Sequence, residues 1–268
     1  TVSVKLLIVE GNNEQTRLQR GAFGIKPYHL TFQEMLRGLV PTAQTDFAFP
    51  ADGTGGLPTV AELKQYDGVL WTGSSLSVLD DIPDVHGQLN FADEVFESGV
   101  PFYGSCWGMQ VANVVAGGKV ALSPNGLEFG ISKLIEVTAS GKESPFFKHR
   151  KTSFTALCIH YDEVAEAPEN AIILASNAHS KVQGMTFDYK NGSFFGVQYH
   201  PEFNTSEMAL IASFLSEKLV KSTAFESLKE VQDFCSQLKE QKGLPLEIND
   251  YHLHTQEIMA WLRYISGE

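Results

Sequence analysis

The stretch Val100-Pro101-Phe102-Tyr103-Gly104-Ser105-Cys106-Trp107-Gly108-Met109-Gln110, continued by the apolar run Val111 to Ala116, leaves the fold around it little freedom. It reads as a buried strand, a sharp turn carrying a cysteine, and a helix. Glycines two residues before and two after the cysteine suit a strained strand-to-helix elbow, where flanking side chains would collide and the central residue is lifted clear. A thiol at a helix N-terminus also meets unpaired backbone N–H groups and the positive end of the helix dipole, which favour its anionic form. Cys106 is therefore the candidate nucleophile, set against the alternative of a small buried hydrophobe.

A second segment complements the first. Phe194-Phe195-Gly196-Val197-Gln198-Tyr199-His200-Pro201-Glu202 reads as a strand closing on a histidine and a carboxylate. Pro201 keeps His200 extended, and in an extended segment His200 and Glu202 project to the same side. Glu202 can then orient an imidazole that faces the thiol. Cysteine, histidine and an orienting acid are the components of covalent acyl transfer.

Around these two segments, apolar runs alternate with helical patterns. Strands are expected at Val4 to Val9, Thr45 to Phe49, from about Tyr66 to Trp71, Lys119 to Leu122, Ile131 to Thr138, Phe154 to His160, Ala171 to Ser176, Val182 to Asp188 and Ser193 to Tyr199. Helices are expected at Thr31 to Leu39, Val85 to Ser98, after Cys106, and at Ser206 to Val220. This pattern predicts an α/β fold with a mostly parallel open sheet and helices on both faces. Sites on such sheets gather at the carboxyl ends of the strands. Gln110 lies one helical turn beyond Cys106, on the same face. The domain is expected to span residues 1–220. Residues 221–268 form a helical C-terminal extension that either packs back on it or offers a docking surface.

Together, Gly104-x-Cys106-x-Gly108-x-Gln110 and Tyr199-His200-Pro201-Glu202 resemble the class I glutamine amidotransferase family, here as a stand-alone domain of the GMP synthase kind. The resemblance covers roughly residues 5 to 215. It implies a Cys106-His200-Glu202 triad and an oxyanion hole built from the backbone N–H groups of Gly73 or Ser74 and of Trp107. It also implies substrate-binding roles for Gln110, for Glu128 in a Glu-x-Gly segment, and for His160 and Tyr161 at the start of a His-x-Asp-x-Val stretch. Ser74 stands where many relatives have glycine, and Ile159 where a serine is common. The implied reaction is hydrolysis of a γ-glutamyl amide bond through a cysteine thioester, which calls for no metal and no organic cofactor.

The leaving group stays open at this point. Ammonia passed to a synthase partner would make an amidotransferase, another amine would make a γ-glutamyl hydrolase or peptidase, and a non-catalytic protein that binds γ-glutamyl ligands and regulates a partner is a third reading. Family members usually have a compact loop where this chain has an unusually polar stretch, so Gln15 to His29, with Arg17, Arg20 and Lys26, is a candidate for substrate selection, set against the alternative of a solvated loop or the start of a helix.

Composition narrows the partners. A net charge of −12 argues against a nucleic-acid or anionic-membrane surface. A small γ-glutamyl substrate such as glutamine, a synthase or a second copy of the chain fits better. Three cysteines without metal spacing or an even disulfide framework suit a reducing, cytoplasmic setting. No apolar run reaches the roughly 20 residues of a membrane span. His252 and His254 lack the further ligand spacing of a metal site.

Overall fold

The computed structural model describes residues 3–268. Its strands are β1 (Lys5–Val9), β2 (Gln44–Ala48), β3 (Gly68–Trp71), β4 (Phe102–Ser105), β5 (Lys119–Leu122), β6 (Glu128–Ile131), β7 (Ile135–Val137), β8 (Ser153–Phe154), β9 (Leu157–His160), β10 (Asp162–Glu166), β11 (Ile172–Asn177), β12 (Gly184–Tyr189) and β13 (Gly192–Val197). Nine of them form one sheet in the order β2-β1-β3-β4-β13-β12-β11-β7-β8. The first five are mutually parallel, so the expected open sheet is present and its parallel part carries the elbow. From β13 onward the neighbours are antiparallel, because Lys190-Asn191-Gly192 reverses the chain directly between β12 and β13. Two small antiparallel pairs, β5 with β10 and β6 with β9, stand outside the large sheet.

The helices are α1 (Glu14–Ala22), α2 (Tyr28–Leu39), α3 (Val60–Leu63), α4 (Pro83–Ser98), α5 (Trp107–Val115), α6 (Ala139–Glu143), α7 (Thr205–Phe214), α8 (Ser216–Lys221), α9 (Leu228–Glu240), α10 (Leu246–Asn249), α11 (Tyr251–His254) and α12 (Gln256–Ile265). No helix among the described residues is long and apolar enough to cross a membrane.

Side-chain alternation along the central strands divides the core into two layers. Leu6, Ile8, Leu70 and Tyr103 pack with Phe32 and Leu36 of α2 and with Ile258, Trp261 and Leu262 of α12. Leu7, Val9, Val69, Trp71 and Phe102 pack with Val85, Phe91 and Val95 of α4 and with Met109 and Val111 of α5. A third core lies beside the sheet, where α7, α8 and α9 close on Leu157 and Phe203. Residues 221–268 therefore supply buried side chains to two of the three cores.

Several elements differ from the pattern-based expectation. The polar stretch Gln15 to His29 is largely helical, although it has no apolar stripe. Asn13 caps α1 by accepting a hydrogen bond from Thr16 N at 2.9 Å, and Arg17 ties the helix to Asp52 at 2.9 Å. The run Ile131 to Thr138 is broken by Ser132-Lys133-Leu134 into β6 and β7, which belong to different sheets. Phe154 to His160 is likewise divided into β8 and β9, and Ser206 to Val220 breaks at Leu215 into α7 and α8.

Candidate active site

The elbow is as tight as its glycines imply. Cys106 has φ 52° and ψ −104°, a conformation that L-residues adopt at a cost of about 1–3 kcal/mol. It is held from both sides. A Cβ at Gly104 would come within 2.4 Å of the Gly108 carbonyl carbon, and one at Gly108 within 2.6 Å of Trp71 O. Cys106 N donates to Val197 O at 2.8 Å, which locks the turn to the end of β13. The thiol reaches the Ile159 carbonyl at 3.4 Å.

Three residues past the end of β13 the chain delivers His200. Its Nδ1 lies 3.0 Å from Glu202 Oε1, both side chains being buried. The Phe203 ring stacks on the imidazole at a centroid distance of 4.2 Å and an interplanar angle of 5°, which fixes the ring plane. Nε2 has no hydrogen-bond partner among the described residues, and the Cys106 sulfur is close enough to act on the ring by charge. Burial opposes protonation of His200, but the Glu202 carboxylate and then Cys106 outweigh it and push the pKa up to about 10. The arrangement favours an imidazolium beside the sulfur.

Gly73 and Ser74 follow β3 and meet the loop after β1, where the strand order reverses. A Cβ at Gly73 would stand 2.8 Å from His200 Cε1, and one at Gly11 would stand 2.4 Å from Gly73 O. The loop is pinned further. Thr72 Oγ1 donates to Gly73 O at 2.8 Å and accepts from Gly11 N at 2.8 Å. Asn12 Oδ1 accepts from Ser74 Oγ at 3.0 Å and from Ser75 N at 2.8 Å. The backbone N–H groups of Gly73, Ser74 and Trp107 have no hydrogen-bond partner among the described residues.

One buried amide coordinates this assembly. Gln88 Oε1 accepts from Trp107 Nε1 at 2.8 Å and from Trp71 Nε1 at 3.1 Å, while its Nε2 donates to Gly11 O at 2.9 Å. Sequence reading missed both Gln88 and Asn12. The signal for Gln88 was a polar residue within the apolar stripe Val85, Phe91, Ala92 and Val95.

These groups open into a cavity of about 840 Å³ whose wall includes Ser74, Cys106, Trp107, Gln110, His160, Tyr161 and His200. Gln110 Nε2 donates to Asp162 O at 3.0 Å. Glu202 sits behind His200. Glu128 does not reach the cavity and sits behind His160, with Oε1 2.8 Å from His160 Nε2. Burial pushes the Glu128 pKa up, but hydrogen bonds and charge from His160, with Asn177 and Gln183, bring it down to about 2. Glu128, His160 and His179 lie close enough to share an ion. Their polar atoms are already engaged within the protein: His160 Nδ1 with Asp162 O at 2.8 Å, His179 Nδ1 with Ser180 Oγ at 2.9 Å and His179 Nε2 with Gly126 O at 3.0 Å.

The opposite wall comes from segments that lack a motif. Thr16, Gln19 and Arg20 of α1, with Phe23 and Tyr28, face Ser213 to Lys218 at the junction of α7 and α8. The C-terminal helices brace the histidine strand from behind. Tyr199 OH donates to Glu257 Oε2 at 2.9 Å, Glu257 pairs with Arg150 at 3.0 Å, and His254 Nδ1 lies 3.0 Å from Pro201 O.

The family model for class I glutamine amidotransferases matches residues 54–219, and the chain belongs to that family. Over 98% of its length and 93% of the relative's, it is 31% identical to a gamma-glutamyl-L-1-hydroxyisopropylamide hydrolase of a Pseudomonas species. It is 34% identical to one subunit of the glutamine-hydrolysing GMP synthase of Sulfolobus acidocaldarius, over 57% of this chain and 76% of that one. Among solved structures it resembles a glutamine amidotransferase from Thermotoga maritima, with a TM-score of 0.68, 18% identity and 99% of both chains covered. That likeness concerns the fold.

Proposed function

We propose that this protein hydrolyses γ-glutamyl amide bonds through a thioester on Cys106 and acts as a free-standing hydrolase whose leaving group is an amine. The observation that carries this reading is a nucleophile elbow and a carboxylate-paired histidine converging on one cavity. The Cys106 thiolate attacks the γ-carbonyl carbon, and the N–H groups of Gly73 or Ser74 and of Trp107 hold the oxyanion. His200, oriented by Glu202, gives its proton to the departing nitrogen. It then takes a proton from water as the water attacks the thioester, and glutamate leaves with the thiolate restored. Gln110, His160 and Tyr161 hold the glutamyl end, and Glu128 acts through His160.

The match to the Pseudomonas hydrolase supports a hydrolase because it runs through the segments on either side of residues 54–219, including α1 and α12. The match to a GMP synthase component supports a second reading, in which glutamine is the substrate and ammonia passes to a synthase partner. A cytoplasmic setting accords with three free cysteines.

Glutamate release from glutamine and from a panel of γ-glutamyl amines separates the two readings. Turnover of a bulkier γ-glutamyl amine well above that of glutamine is expected, with a loss of ~1,000-fold or more in Cys106→Ala. Preference for glutamine, or activity only with an added synthase, would favour the second reading. Equal activity in Cys106→Ala would exclude both.

A further inference from the structure

Arg20 is buried, 8% exposed, on the cavity wall. Its one hydrogen bond is from Nη1 to the neutral Tyr28 hydroxyl at 3.0 Å. The guanidinium lies 5.5 Å from the Tyr28 ring centroid and 5.6 Å from that of Phe214. Among the described residues it has no carboxylate partner. The other two well-covered arginines do, Arg17 with Asp52 at 2.9 Å and Arg150 with Glu257 at 3.0 Å. A guanidinium withdrawn from water and left without a counter-ion is costly unless an anion arrives to pair with it.

Its place in the cavity says which part of a substrate that anion belongs to. Tyr28, which holds Arg20, lies 5.7 Å from Phe203 and 6.4 Å from His200 between ring centroids. His200 is where the departing nitrogen must collect its proton. Gln110, His160 and Asp162 line the same cavity from other elements, the nucleophile helix and the β9–β10 segment. Asp162 is engaged there by Ser77 Oγ at 2.6 Å. The other charged groups on the wall are the His200 imidazolium beside the sulfur and two exposed side chains, Glu217 and Lys218. Around Arg20, Thr16 and Gln19 add polar groups, and Phe23 packs edge-on against Phe214 at 5.2 Å.

Resting on the γ-glutamyl amide hydrolysis proposed above, we infer that Arg20 forms a leaving-group subsite for a carboxylate, so that γ-glutamyl amino acids are preferred over neutral γ-glutamyl amides. The planar fork of the guanidinium suits bidentate pairing with a carboxylate, and a lysine ammonium reproduces its charge without its geometry.

The test compares γ-glutamylglycine with γ-glutamylglycinamide, which differ only in the charge at the far end of the leaving amine. For the unmodified protein kcat/KM should favour the carboxylate roughly 10- to 100-fold. Arg20→Gln should bring the ratio close to 1, and Arg20→Lys should restore part of it. A ratio near 1 in the unmodified protein overturns the subsite, and that measurement stands even if Arg20→Gln does not fold. Equal losses on both substrates in Arg20→Gln would place the arginine on the glutamyl carboxylate and overturn the leaving-side assignment. Hydrolysis of both amides that depends on Cys106 but ignores Arg20 leaves the proposed reaction standing and removes this inference. Absence of Cys106-dependent hydrolysis removes both.

Discussion

At the scale of single residues, the site depends on His200 holding a proton that its burial opposes. Glu202 is the foremost of the influences that raise the His200 pKa to about 10. In Glu202→Gln the acceptor for Nδ1 remains while the negative charge is gone, so the imidazolium loses its proton at lower pH. In the proposed reaction the charged imidazole protonates the leaving nitrogen, so the alkaline limb of the kcat/KM profile should move down by roughly one pH unit or more. A limb that stays in place would separate Glu202 from the proton on His200. Gly73 sets a steric requirement of its own. A methyl group there would stand 2.8 Å from His200 Cε1, which forces the ring or the loop to move. Gly73→Ala should lower kcat about 100-fold while the thermal unfolding midpoint changes little. Retained kcat would show that the ring can give way without cost. Cys106 and its flanking glycines were legible in the chain because steric exclusion at a tight elbow restricts residue type locally. Gln88 and Asn12 were not, because their partners lie on other strands and leave no local spacing.

At the scale of elements, buried area rather than propensity decides what matters. The last helix, α12, sits against the central sheet through Ile258, Trp261 and Leu262, each at most 2% exposed. The Trp261 ring lies 5.8 Å from that of Tyr103, and the absence of a side chain at Gly68 admits it, since a Cβ there would come within 2.8 Å of the indole. Truncating such a residue costs about 3–5 kcal/mol through lost transfer energy and the cavity left behind, a large share of a net stability of about 5–15 kcal/mol. Trp261→Ala should therefore lower the urea midpoint of the whole domain by a corresponding amount. An unchanged midpoint would mean that α12 detaches without affecting the sheet. The helical character of residues 221–268 was visible in the sequence. The division of Ile131 to Thr138 and of Phe154 to His160 between two sheets was not, because an apolar run reports burial and is silent about which neighbour provides it. The polar helix α1 escaped for the opposite reason. It has no stripe to detect and is held by an Asn13 cap and an Arg17–Asp52 pair.

At the scale of the whole molecule, four parallel strands end at one edge of the sheet, and the loops after β1, β3, β4 and β13 meet there through Gly11, Gly73, Cys106 and His200. The parallel half of the sheet supplies the chemistry. The small β6–β9 and β5–β10 pairs and the helices α1, α7 and α8 enclose the cavity above it. The sequence by itself determined the α/β class, the cysteine elbow with its glycines, the histidine with its carboxylate, and the order in which they occur, since each of these is dictated by short-range sterics, period-2 burial or residue chemistry. Tertiary structure alone decided that Arg20 lines the cavity without a carboxylate partner among the described residues, that Glu128 stands behind His160 instead of in the cavity, and that the C-terminal helices brace the strand bearing His200. These outcomes follow from packing between segments up to about two hundred residues apart, and no local pattern of side chains encodes which distant group will complete a buried charge or close a wall.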